Sequence, residues 1–152
     1  MYVIICNNKS SKDKHEVFKA LEMYFPIILG DYMPSLKQTT IKFYNKHINW
    51  KRGYAWLINK KKTQLLIKIP VNYRKDTGWL IFHELCHIRQ ILDGKLKLNK
   101  KTLSYKYPSK KAFDSFSFDY GWQTSNGKKV LFPPWEEEVW ELERMFLWER
   151  II

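Results

Sequence analysis

His83 and His87 stand four residues apart in the stretch His83-Glu84-Leu85-Cys86-His87. On a helix, that spacing puts both imidazoles on one face, one turn apart, where they can grip a single ion. Zinc accepts imidazole nitrogen readily and can leave a position open for water. Glu84, next to His83, projects toward the same side. It can take a proton from a zinc-bound water and pass it to a leaving amine. The five residues form an HExxH motif, whose chemistry is metal-assisted hydrolysis.

Two ligands do not complete a zinc site. No His follows His87, and His15 and His47 lie upstream. Asp93 is six residues past His87, but a ligand there needs a sharp helix break, and Gln90 occupies the point where Gly would make one. Asp93 therefore reads as helix-terminal surface. The better source is the run Pro133-Pro134-Trp135-Glu136-Glu137-Glu138-Val139-Trp140-Glu141. Six of the fifteen acidic residues lie between Glu136 and Glu149. Acids in a first helical turn favour the macrodipole, which accounts for one or two of the three consecutive glutamates.

These features together resemble the small gluzincin-like zinc metallopeptidases common in phage and prophage sequences. Such proteins show a HELxHxxQ helix and a later PWExEA helix. Gln90 matches the Gln, and Val139 stands in place of Ala. The resemblance spans about residues 79–148. It implies a minimal zincin-like domain and Zn2+ as cofactor, with the third ligand on the C-terminal helix. Glu136 fits that place first, Glu138 second and Glu137 third. The family's Asp or Asn four residues past the ligand is Trp140 here, a departure that touches the usual partner of a ligand His. An all-histidine site of the metzincin kind is disfavoured.

Transition-state stabilisation calls for a donor near the open metal position. Tyr105, Tyr107 and Tyr120, in the segment between motif and acidic run, are the candidates. Cys86 lies between the ligand positions and reads as a buried small hydrophobe.

The elements that must position these residues follow from periodicity. Tyr2 to Cys6 reads as a short strand. Ser11 to Leu29 reads as an amphipathic helix, with Val17, Leu21, Tyr24 and Phe25 at helical spacing and Pro26 near its end. Residues 39–46 alternate with period two. Gly53 to Asn59 and Gln64 to Ile69 flank Lys60-Lys61-Lys62-Thr63 as a hairpin. A substrate strand could add along Gln64 to Ile69. Asp76-Thr77-Gly78 opens the motif helix, and Gly94 stops it. The stretch 95–132 is irregular, either a functional loop or short elements. Pro133-Pro134 starts the last helix, with Val139, Leu142, Met145 and Phe146 at core spacing. The expected fold class is α+β: a small mixed or antiparallel sheet packed on the HExxH helix, in one domain spanning 1–152.

The chain of 152 residues is long enough for a core, and 45% hydrophobic composition excludes disorder. Two cysteines exclude a disulfide framework and point to a reducing compartment. No export or membrane segment is evident, so the protein reads as cytoplasmic, in the host cytoplasm if phage-encoded. The net charge of +12 invites a nucleic-acid reading, through Lys60 to Lys62 or Lys95 to Lys101. However, 22 of the 27 basic residues are Lys, and base readout favours Arg.

Three functions follow. The first is a peptidase acting on a peptide or protein substrate. The second is a non-catalytic zincin-scaffold binding protein, with nucleic acid as partner. The third is a purely structural zinc site, closed by another Glu of 136–138 or by Asp114.

Overall fold

The computed structural model describes residues 3–7, 11–44, 54–57, 64–70, 77–99, 102–107, 112–118, 122–124 and 126–148. The fold is α+β, and the chain divides into two compact units, 1–89 and 90–152.

In the first unit, β1 (Val3–Asn7) leads into α1 (Ser11–Leu29), followed by a 3-10 segment (Gly30–Ser35) and β2 (Gln38–Tyr44). Next come β3 (Tyr54–Leu57), β4 (Gln64–Pro70) and α2 (Thr77–Leu92). This is the expected β-α-β-β-β-α order. Pro26 lies inside α1, which still runs on to Leu29.

The sheet order is β1-β2-β4-β3. β1 and β4 both pair in parallel with β2, while β3 pairs antiparallel with β4, so the sheet is mixed. The expected hairpin is present, with Trp56 opposite Leu66. One expectation is overturned: Gln64–Pro70 is flanked on both sides by β2 and β3, so its backbone groups are already paired. It cannot receive an added strand; the edge of the hairpin is β3.

Alternation explains the sheet's buried side. Leu65 and Ile67 are fully buried, whereas Leu66 between them is half-exposed. On α1, Val17, Leu21, Phe25 and Leu29 recur every four residues and are all fully buried. Tyr24 of α1 meets Phe82 of α2 edge-on, with centroids 5.2 Å apart. Arg89 ties α2 to the end of α1: its guanidinium donates to the Ile28 carbonyl at 3.1 Å and lies 5.0 Å from the Tyr32 ring centre.

The helix α2 is apolar nearly all round, and Leu80, Ile81, Phe82, Leu85, Cys86 and Ile88 are buried. Its stop is the expected one. Gly94 has φ 77°, its N–H donates to the Ile91 carbonyl, and Lys95 N–H donates to the Gln90 carbonyl. These two bonds make a Schellman cap. An added Cβ at Gly94 would meet nothing within 4 Å, so only backbone strain opposes a side chain there. Gly94→Ala is expected to cost about 1 kcal/mol, read as a lower denaturant midpoint at unchanged slope.

The second unit resolves the alternatives left for 95–132 in favour of short elements. It contains β5 (Leu96–Asn99), β6 (Thr102–Tyr105), β7 (Asp114–Phe118) and β8 (Trp122–Thr124), an antiparallel sheet in sequence order. It ends with α3 (Pro134–Glu143) and a π-helical turn (Arg144–Trp148). Leu96, Tyr105, Phe116 and Trp135 form its buried core. The Trp135 ring meets Phe116 at 5.2 Å and Trp122 at 5.0 Å, both edge-on. Such pairs contribute about 0.5–1.5 kcal/mol each beyond the area they bury. This cluster therefore anchors the start of α3 to the sheet.

The core expected on α3 holds only in part. Val139 is fully buried and Leu142 half-buried, but Met145 and Phe146 are 58% and 37% exposed. The reason is local: the helix changes to a π-helical turn at Arg144, which rotates the later residues off the 3.6-residue stripe.

Candidate metal site

The imidazole Nε2 atoms of His83 and His87 lie 3.1 Å apart, with the rings at 78°. At this distance two neutral imidazoles share one Nε2–H, or both lone pairs point at one ion. Two nitrogens bonded to zinc at tetrahedral angles stand about 3.3 Å apart. The pair therefore already has the spacing that an ion would impose, within a few tenths of an ångström. His87 is 9% exposed and His83 half-exposed. Glu84 is 5% exposed. It is kept within the same stretch of α2, one residue from the first imidazole.

Gln90 extends the stripe. His83, His87 and Gln90 follow at i, i+4 and i+7, one face of the helix. Gln90, the first residue of the second unit, is 2% exposed, and its side-chain amide is committed within that unit. Nε2 donates to the Trp135 carbonyl at 2.9 Å and to Glu138 Oε1 at 3.2 Å.

The three consecutive glutamates have separate fates. The Tyr105 hydroxyl donates to Glu138 Oε2 at 2.6 Å, and the Lys95 ammonium is 3.5 Å from the same oxygen. Both Glu138 oxygens thus receive donors from the protein. Glu137 is exposed, and Glu136 is half-buried in the first turn of α3. That turn is set by Pro133, whose carbonyl accepts from the N–H groups of Glu136 and Glu137.

The tyrosines divide likewise. Tyr105 is 2% exposed. Burial, then the hydrogen bond to Glu138, then the charges of Glu138 and Tyr107, push its ionisation well above the usual phenol range. It is held as a protonated donor to Glu138, which is a different task from the transition-state role expected of it. Tyr107 is half-buried and meets Tyr105 edge-on at 5.3 Å. Tyr120 lies outside the described residues, as do His47 and Lys60 to Lys62.

The remaining candidates have surroundings of their own. Cys86 is buried with 1% exposure, as expected of a small hydrophobe. Asp93 is exposed, just past the helix end at Leu92, and His15 is exposed on α1. Trp140 is 40% exposed and packs edge-on against Phe132, so the residue four past Glu136 serves an aromatic contact. What periodicity alone missed is the junction of Gln90, Lys95, Tyr105 and Glu138. The available signal was the i+7 position of Gln90 relative to His83.

No helix among the described residues is long and apolar enough to cross a membrane. Comparison with protein-family models, with characterised proteins and with solved structures yields no match to this chain.

Proposed function

We propose that this chain is a zinc-dependent metallohydrolase, gluzincin-like in its zincin fold, that cleaves peptide bonds. On the resemblance of the motif helix and the later PWExE run, His83, His87 and Glu136 would hold the ion. The observation that carries the reading is the 3.1 Å approach of the two imidazole Nε2 atoms beside Glu84. Two imidazoles and one carboxylate are a donor set that suits zinc and leaves a position for substrate or water. Glu136 is preferred within its run because both Glu138 oxygens are taken and Glu137 faces solvent.

When bound, the ion supplies a Lewis acid that polarises a carbonyl and acidifies water. Glu84 takes the proton of the attacking water and delivers it to the departing amine, which leaves poorly as an anion. The imidazoles stay neutral, as ligand duty requires. An extended substrate can add its backbone to β3, one of the two edge strands of the first unit's sheet among the described residues. Backbone pairing of that kind favours peptides over other acyl substrates.

The purified protein is expected to hydrolyse an unfolded protein substrate in the presence of zinc, to stop on chelation, and to recover when zinc is restored. Hydrolysis indifferent to the chelator, or no cleavage of a diverse peptide library by zinc-loaded protein, would count against the assignment.

A further inference from the structure

We infer that Gln90 and Tyr105 are positioning residues for the third metal ligand, acting through Glu138 and the Trp135 carbonyl. The inference rests on Glu136 being that ligand.

The Gln90 amide spends both protons on α3, one on the Trp135 carbonyl and one on Glu138. Those acceptors bracket Glu136 in sequence, one residue before and two after it. A helix docked by apolar packing alone can still roll or slide by a fraction of a turn, because dispersion has little directional preference. Two hydrogen bonds from one planar amide, to points on either side of Glu136, remove that freedom. Tyr105 completes the clamp from β6. Its hydroxyl fixes the other Glu138 oxygen at 2.6 Å, and Lys95 balances the carboxylate's charge.

Gln90 also stands on the helix that carries His83 and His87, three residues after the second imidazole. Within the second unit, Gln90 thus holds the first turn of the helix that bears the carboxylate. Such supporting residues commonly alter metal affinity by about 10- to 100-fold without touching the ion.

The Trp135 aromatic cluster is left intact by Gln90→Leu and by Tyr105→Phe, so α3 stays anchored to its sheet in both variants. The test is zinc affinity, measured by competition with a chromophoric chelator, for each substitution alone and combined with Glu136→Ala. Thermal melting of the zinc-free proteins runs alongside.

Each single substitution is expected to weaken zinc binding by about 10- to 100-fold. In the Glu136→Ala background the same substitution is expected to change affinity less than about twofold. An equal loss in both backgrounds would overturn the positioning role, as would unchanged affinity in the singles. If Gln90→Leu does not fold, Tyr105→Phe decides alone, since it keeps the ring in the core. Should Glu136→Ala by itself leave zinc affinity unaltered, the ligand assignment fails instead, and the positioning role falls with it.

Discussion

Replacing Glu84 by Gln is expected to lower kcat by about 100- to 10,000-fold while zinc content stays at the wild-type level. Gln has nearly the shape of Glu and keeps the helix, so α2 and its buried neighbours are undisturbed. It cannot accept a proton at neutral pH. Proton removal from water and delivery to the amine belong to the transition state, so kcat and kcat/KM should fall together with KM little changed. An enzyme that retains both zinc and full hydrolysis after this substitution does not use Glu84 as its base.

The second large effect concerns the imidazoles. His83→Ala and His87→Ala are each expected to weaken zinc binding by on the order of 100- to 1,000-fold. Structural zinc sites with four ligands bind with roughly 10–16 kcal/mol, or about 2.5–4 kcal/mol per ligand. Each 1.4 kcal/mol is tenfold. The two losses should be similar because the two Nε2 atoms meet at one point, 3.1 Å apart. His15→Ala, at an exposed position on α1, serves as the control and is expected to leave affinity unchanged. If the imidazoles merely share a proton, neither substitution will change zinc affinity beyond the control.

Much of the first unit was legible because its signals are local. Val17, Leu21, Tyr24 and Phe25 at helical spacing define α1, and Gly94, just beyond the unit's last residue, ends α2 through a conformation that favours glycine. The imidazole pair was legible for the same reason, since i and i+4 on a helix is a geometric statement.

The sheet of the second unit was not, although alternation was present. Leu96 and Leu98 are separated by Lys97, and Leu103 and Tyr105 by Ser104. Each strand has only three to five residues, too short for a period of two to stand out from chance. Their pairing is set by partners up to fifteen residues away, such as Thr102 opposite Ser117. The part played by Glu138 was hidden for a related reason. Its donors come from positions 90, 95 and 105, and no spacing within the acidic run distinguishes it from Glu136. Edge and interior strands are likewise a property of the whole sheet, so an added strand is expected along Gln64 to Ile69 from the sequence, whereas β4 is interior and the hairpin's edge strand is β3.

The most direct test of a three-ligand site at His83, His87 and Glu136 is the zinc affinity of Glu136→Ala beside that of Glu137→Ala and the wild-type chain. Chelator competition should give one zinc per wild-type chain, a loss on the order of 100-fold or more for Glu136→Ala, and no loss for Glu137→Ala. Full stoichiometry at unchanged affinity in Glu136→Ala would contradict it.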